Sequence, residues 1–157
     1  VFCIGQFPGP DTVENQDQTK RIAHLLQVPA AVRFLSIEPM LGAIDLCDVA
    51  GLGCGHAGCD EQRLDTLTGA DQCAHGYWGG SRPERISWVI VGSESDGPRP
   101  GARETREEWI TGIVDQCDAA GVPCFLKQVA LNGRLCSLPL LDGRLRADFP
   151  EVLRDNP

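Results

Sequence analysis

The fold is decided by residues 86–95, which read Ile-Ser-Trp-Val-Ile-Val-Gly-Ser-Glu-Ser. An apolar run of this length is typical of a strand that is buried on both faces of a parallel sheet. Residues 32–39 (Val-Arg-Phe-Leu-Ser-Ile-Glu-Pro) and residues 123–128 (Pro-Cys-Phe-Leu-Lys-Gln) also pass from apolar to polar at their ends. A fourth candidate strand, around residues 12–15, is weaker. The sequence therefore predicts several parallel strands.

Helical patterns precede two of these strands. Residues 16–27 carry apolar residues on one face. A second helix is predicted to begin at Thr105, whose hydroxyl would cap it in a capping box with Glu108. Gly121 would supply the left-handed residue at the end of this helix. The repeated order of helix and strand predicts an α/β fold, namely a partial (β/α) barrel with parallel strands.

Composition limits the classes of function. The 157 residues are 42% hydrophobic and 23% charged, with a formal net charge of -8, which suits one folded domain. No apolar run approaches the roughly 20 residues that span a bilayer, so no membrane partner is expected. An acidic chain repels phosphate backbones, so general coating of nucleic acid is not expected, although a local basic groove stays open. The chain starts without an initiator methionine or a signal-type segment. We therefore expect residues 1–157 to be the C-terminal part of a larger barrel.

Polar residues follow the predicted strands, where the active site of a (β/α) barrel lies. They are Glu14, Asn15, Ser36, Glu38, Ser93, Glu94, Lys127 and Gln128. Carboxylates and a lysine around one opening could bind an amino-bearing small molecule, or act as acid and base. The alternative is that they form salt bridges and loop caps at the rim. Arg99, in the Gly-containing loop after residues 86–95, is a further candidate for binding a carboxylate or phosphate.

Residues 47–85 form a predicted Cys/His-rich insert with no sustained periodicity. A structureless loop of this length in a compact domain needs something to tie it down. The candidate metal ligands are Cys54, His56, Cys59, Cys73 and His75. Two short groups of Cys and His suit a structural zinc ion, which would replace the core that the loop cannot build. The alternatives are free surface thiols or a Cys54–Cys59 disulfide.

Several motifs resemble one bacteriophage protein family, in the same order along the chain. They are Thr-Val-Glu-Asn-Gln at 12–16, Arg-Phe-Leu-Ser-Ile-Glu-Pro at 33–39, Trp-Val-Ile-Val-Gly-Ser-Glu at 88–94, Ala-Gly-Val-Pro at 120–123 and Phe-Leu-Lys-Gln at 125–128. From about residue 12 to about residue 150 the chain resembles the phage Gp-thirty-seven/Gp-sixty-eight family, a group of unknown function in phages and bacteria.

That family looks like a divergent radical-SAM group. The resemblance implies a three-cysteine motif that holds a [4Fe-4S] cluster and S-adenosylmethionine, and this chain would begin after that motif. Both cofactors would then require the missing N-terminal half. The resemblance also implies that the later strands contact a nucleotide-like ligand. The pocket residues would be Glu38, Glu94, Lys127 and Gln128, with Glu14 and Asn15 behind them.

The leading expectation is therefore the substrate-side part of a radical-SAM-like barrel in the cytoplasm of a bacterial host, not catalytic alone. One alternative is a zinc-stabilised binding or interaction module. Another is a metal-dependent hydrolase that uses Glu38 and Glu94. Half a barrel would expose strand edges and apolar surface, so the expected protein partner is a second copy in a homodimer or the missing N-terminal half.

Overall fold

The computed structural model describes residues 12–51, 62–73, 78–79, 83–94, 103, 105–131 and 134–154. The helices are α1 (Ile22–Leu25), which continues a 3₁₀ helix at Gln16–Arg21, α2 (Glu107–Ala120) and α3 (Glu151–Arg154). The strands are β1 (Phe34–Ile37), β2 (Val49–Ala50), β3 (Gln62–Leu64), β4 (Asp71–Cys73), β5 (Trp78–Gly79), β6 (Trp88–Gly92), β7 (Cys124–Leu131), β8 (Arg134–Ser137), β9 (Leu140–Leu141) and β10 (Arg144–Leu145).

The main sheet has four strands in the order β1-β6-β7-β8. β1, β6 and β7 are the three strands predicted from the apolar runs. β1, β6 and β7 are parallel, and β8 pairs with β7 in the antiparallel direction. The weak fourth candidate is reduced to one parallel bridge between Thr12 and Ser36. The prediction of an α/β fold with parallel strands is confirmed. Among the described strands the sheet is open, and they do not form a closed barrel.

One face of the main sheet forms the core. Its side chains are buried at Leu35, Ile37, Val89, Val91 and Leu126, and α2 contributes Ile110, Ile113, Val114 and Cys117 to the same cluster. Fully burying one such aliphatic side chain contributes about 1.5–3 kcal/mol. A slip of one residue would turn these side chains outward, so this burial fixes the strand register.

The opposite face of the sheet is only partly buried, so the prediction of strands buried on both faces is wrong. Ser36, Trp88 and Ile90 are partly exposed there. The C-terminal segment covers one end of this face, where the ring of Phe149 lies 5.2 Å from that of Trp88, between centroids. The indole Nε1 of Trp88 donates a hydrogen bond of 3.0 Å to the carbonyl oxygen of Asp148. Ser36 and Ile90 on this face stay partly exposed.

Helix α2 differs from the prediction at its start and agrees with it at its end. No side chain caps its first turn, and its N-cap residue is Arg106. The hydroxyl of Thr105 donates instead to the carbonyl oxygen of Met40, at 2.9 Å. The predicted capping box is therefore wrong, because this hydroxyl ties the loop after β1 to the approach to α2. Gly121 ends the helix with a φ of 66°, as predicted.

The region from residue 47 to residue 85 contains a small antiparallel sheet, so the prediction of a structureless loop is wrong. Its strands pair in the order β2-β3-β4-β5. Between them the amide of Gln62 donates to the carboxylate of Asp71 at 3.2 Å, and both side chains are buried. Strands of two or three residues are too short to produce a periodic pattern. Cys54, His56, Cys59 and His75 lie outside the described residues.

Candidate functional site at the carboxyl edge of the main sheet

The polar residues predicted at the strand ends lie along the carboxyl edge of the main sheet. Parallel strands all end at the same edge, which brings together the residues that follow β1 and β6 and those in the second half of β7. Glu14 lies beside the end of β1, because its carbonyl oxygen accepts a hydrogen bond of 2.7 Å from the backbone N–H of Leu41. This edge is where ligands bind in open α/β sheets.

Glu38, Lys127 and Gln128 are in direct contact, and we call them the rim cluster. The ammonium of Lys127 donates to Oε1 and Oε2 of Glu38 at 3.1 and 3.2 Å. Nε2 of Gln128 also donates to Oε1 of Glu38. The side chains of Glu38 and Lys127 are 20% and 52% exposed. The rim cluster therefore lies at the surface opening of the sheet edge.

A β-bulge explains why two successive residues of β7 reach the same carboxylate. Neighbouring side chains of a regular strand point to opposite faces. The register between β6 and β7 shifts after Val91, which pairs with Leu126, so that Gly92 pairs with Gln128 and Lys127 is the extra residue. Bulges redirect side chains in this way. The bulge gives Glu38 a charged partner and an amide partner at once.

Gly92 leaves the space that the rim cluster occupies. A Cβ atom on Gly92 would lie 3.3 Å from Nε2 of Gln128 and 3.3 Å from Cδ of Glu38, closer than ordinary van der Waals contact. Gly92 is not among the site residues predicted from the sequence. The available signal is a glycine at the end of an apolar strand, which marks a close approach by another group.

Glu94 forms an ion pair with Arg103. The backbone N–H of Arg103 donates to Oε2 of Glu94 at 3.1 Å, and Nε of Arg103 donates to Oε1 at 3.0 Å. These contacts join the residues on either side of the segment 95–102. They match the alternative in which the strand-end carboxylates form salt bridges and loop caps. Arg99, in the same segment, lies outside the described residues.

Glu14 and Asn15 are also engaged locally. The hydroxyl of Thr12 donates to Oε1 of Glu14 at 2.6 Å, and a guanidinium nitrogen of Arg21 lies 3.7 Å from its Oε2. Oδ1 of Asn15 is buried and has no hydrogen-bond partner within the described part of the chain. The described side-chain contacts of Glu14 are thus with Thr12 and Arg21, whereas its backbone carbonyl oxygen is bound by Leu41.

Of the five candidate metal ligands, only Cys73 lies in the described residues, as a partly exposed free thiol. Cys73 ends β4 and pairs with Gln62, the first residue of β3, whose carbonyl oxygen accepts from the backbone N–H of Gly51 after β2. Gly51, Gln62 and Cys73 therefore lie at the same end of the small sheet. Within the ranges described, no group of three or more His, Cys, Asp and Glu residues could hold a metal ion.

Two of the described thiols, Cys117 and Cys47, have a pKa above the ordinary value for cysteine. A hydrogen bond with Cys124, together with burial, raises the pKa of Cys117. Burial and the nearby carboxylate of Asp65 raise the pKa of Cys47. Nucleophilic cysteines need a lowered pKa, because the thiolate is the reactive form. Cys117 and Cys124 are both buried in the core cluster.

A family model described as a protein of unknown function (DUF5131) matches residues 10–136. The chain belongs to this family. No curated protein and no solved structure matches the chain. The DUF5131 match contains β1 to β7 and therefore the whole rim cluster. The β9–β10 hairpin and the segment that covers Trp88 lie beyond it.

The helices of this DUF5131 protein are short. The longest helix in the described ranges, α2, has 14 residues, and no helix there has the length and apolar character that a membrane crossing requires.

Proposed function

We propose that this DUF5131 protein binds a small, nucleotide-like molecule at the rim cluster, as the substrate-side part of a radical-SAM-like enzyme. In this proposal it is a phage protein of the Gp-thirty-seven/Gp-sixty-eight kind and acts in the cytoplasm of the bacterial host. The observation that carries the proposal is the convergence of Glu38, Lys127 and Gln128 at the carboxyl edge of parallel strands. Ligands of α/β folds bind at this edge.

The rim cluster offers acceptors and donors within a few ångströms of each other. The carboxylate of Glu38 can accept hydrogen bonds from an ammonium group or from ribose hydroxyls, and the ammonium of Lys127 can donate to a ligand carboxylate. S-adenosylmethionine carries all three of these groups, which makes it the appropriate probe. Together with a [4Fe-4S] cluster this cofactor supplies radical chemistry. The 157 residues contain no Cys-x3-Cys-x2-Cys spacing, so the proposal assigns them binding and orientation of the ligand only.

The test is isothermal titration of the 157-residue chain with S-adenosylmethionine. Hydrogen bonds to a charged group contribute about 1.5–3 kcal/mol, so Glu38→Gln should weaken binding by about 10-fold or more. Glu107→Gln is the matched control, because Glu107 is exposed at the start of α2. It should bind as the wild type does. The proposal fails if the wild type does not bind, or if Glu38→Gln and Glu107→Gln bind equally well.

A second candidate function, a zinc-stabilised interaction module, is favoured by the register of the small sheet. Gly51, Gln62 and Cys73, which lie at one end of that sheet, are next in sequence to the segments that contain Cys54, His56, Cys59 and His75. Four Cys and His ligands at one place suit a closed tetrahedral zinc site. Metal binding of this kind would contribute directly to the stability of the small sheet.

Elemental analysis of the purified protein tests the zinc candidate. We expect one zinc ion per chain, and a loss of zinc affinity in Cys73→Ser. Cys136→Ser is the control, because Cys136 is an exposed free thiol on β8. A metal-free protein, or equal zinc affinity in the two variants, would contradict the assignment of Cys73.

The hydrolase alternative gains no support from the rim. A catalytic cation in that alternative would have to bind Glu38 and Glu94 together, and these two carboxylates have different cationic partners, Lys127 and Arg103. Glu94, the second proposed ligand, is bound by Arg103.

Association with a second copy is part of the proposal. Among the residues that the structure describes, the exposed large apolar ones lie within 138–152 and are Leu138, Leu140, Leu145, Phe149 and Val152. Exposed apolar groups of this kind mark interaction surfaces. Sedimentation equilibrium should show a dimer whose affinity falls in Leu140→Asp, and a monomer at all concentrations would contradict it.

A further inference from the structure

We infer that Gln128 is the residue that positions the carboxylate of Glu38, and that the ion pair with Lys127 is secondary. The inference rests on the proposed function, because it concerns the same rim cluster. It is nevertheless a statement about the protein without ligand, and it can be tested separately.

The two partners of Glu38 differ in burial. The side chain of Lys127 is 52% exposed, whereas Gln128 is only 5% exposed. An exposed ammonium on a flexible four-carbon chain is screened by salt and exchanges its partner for water, so such pairs contribute little. A buried amide has no water to exchange with. The hydrogen bond from Gln128 should therefore hold the carboxylate more firmly than the ion pair does.

Gln128 is itself fixed by the backbone of the sheet. Its Nε2 donates to the carbonyl oxygen of Ser93 at 3.0 Å, and the backbone N–H of Ser93 donates to the carbonyl oxygen of Gln128 at 2.9 Å. The fully buried hydroxyl of Ser93 accepts in turn from the backbone N–H of Ala130, at 3.0 Å. Ser93 thus binds both the side-chain amide and the backbone carbonyl oxygen of Gln128.

The orientation of the Gln128 amide follows from its partners. Oε1 of Glu38 and the carbonyl oxygen of Ser93 are both acceptors, so the nitrogen of the amide must face them. Both N–H groups of Nε2 are used in these two bonds. Gln128 therefore ties Oε1 of Glu38 to the sheet. Oε2 of Glu38, whose described hydrogen bond is with Lys127 alone, is the oxygen left for a ligand.

The test compares Gln128→Met with Lys127→Met, which remove the two partners with the same replacement. Deuterium relaxation of the Glu38 side-chain methylenes reports how firmly that side chain is held. In Gln128→Met the side chain of Glu38 should lose its restriction and become as mobile as an exposed side chain. In Lys127→Met the side chain of Glu38 should keep most of its restriction. Equal loss in both variants, or a larger loss in Lys127→Met, would overturn the inference.

A salt series on the wild type needs no substitution and guards against a variant that fails to fold. Between about 0.01 M and about 1 M salt the screening length falls from about 30 Å to about 3 Å, which weakens the Lys127 pair and not the Gln128 bond. The restriction of Glu38 should be unchanged across this range, and its loss at high salt would refute the role of Gln128. Neither measurement uses a ligand, so a failure here leaves the binding test of Glu38→Gln standing, and the reverse is also true.

Discussion

The position of Glu38 in the rim cluster depends on groups from other strands. Glu38 follows β1, yet its partners Lys127 and Gln128 belong to β7, and the space beside its carboxylate is left by Gly92 of β6. The sequence predicts that Glu38, Lys127 and Gln128 lie close together, because residues after parallel strands meet at one edge. It does not predict that Glu94 pairs with Arg103, since the segment 95–102 separates the two residues along the chain.

Gly92→Ala should destabilise the protein and displace Glu38. The added Cβ would lie 3.3 Å from both Cδ of Glu38 and Nε2 of Gln128, so their hydrogen bond would lengthen or break, at a cost of about 1 kcal/mol. Gly112→Ala is the matched control, because a Cβ there has no atom within 4 Å and the residue lies inside α2. The control should stabilise the protein by about 0.5–1 kcal/mol.

Urea unfolding measures both changes in the free energy of unfolding. A Gly92→Ala variant as stable as the wild type would show that a Cβ atom fits beside Glu38 and Gln128 without displacing them. In that case Gly92 would have no special part in the site.

Elements are fixed at their ends by contacts that a local pattern can only partly predict. The end of α2 follows from Gly121, because only the residues around it decide the left-handed turn. The start does not, since the hydroxyl of Thr105 finds the carbonyl oxygen of Met40, which is distant in sequence. A Thr followed three residues later by Glu has the pattern of a capping box, and a tertiary hydrogen bond takes its place.

Thr105→Val and Glu108→Ala distinguish a tertiary hydrogen bond to Met40 from a capping box at the start of α2. Thr105→Val removes a buried hydrogen bond and leaves the carbonyl oxygen of Met40 without this donor, so it should cost about 1–2 kcal/mol. Glu108→Ala should change stability by less than about 0.5 kcal/mol, because Glu108 is exposed. Thermal unfolding of the two variants gives the comparison. Similar losses in both would favour a capping box after all.

At the scale of the whole molecule, the C-terminal segment adds contacts to β7 and α2 that the sequence does not predict. Residues 146–148 pair with the first half of β7 beyond β8. Arg146 also donates two hydrogen bonds of 2.6 Å to the carboxylate of Asp118 on α2. Three long apolar runs predict the parallel sheet, whereas this segment and the β2–β5 sheet consist of pieces too short to show a pattern. Their position depends on partners far along the chain.

The stability that the Arg146–Asp118 pair contributes should depend on pH. Hydrogen bonds from Arg146 lower the pKa of Asp118 in the folded protein. The stability from this pair is therefore fully present above the ordinary aspartate pKa of about 3.9, and it is lost as the pH falls through the lowered value. Asp118 is 47% exposed, so the contribution is that of a surface pair, at most about 1 kcal/mol.

The comparison with Asp118→Asn isolates this contribution. At pH 7 the variant should be less stable than the wild type by about 0.5–1 kcal/mol. The difference should shrink to zero in acid, where Asp118 of the wild type is protonated. Urea unfolding across the acid range provides the measurement, and a difference that does not change with pH would rule out the ionic origin.

The most direct test of the ligand site is a map of backbone amide chemical shifts during titration with S-adenosylmethionine. If the carboxyl edge of the main sheet is the binding site, the largest changes will fall in residues 38–41, 92–94 and 127–130, which surround the rim cluster. They will be reduced in Glu38→Gln. Changes confined to other regions, such as the contact of Phe149 with Trp88, or no changes at saturating ligand, would contradict the account.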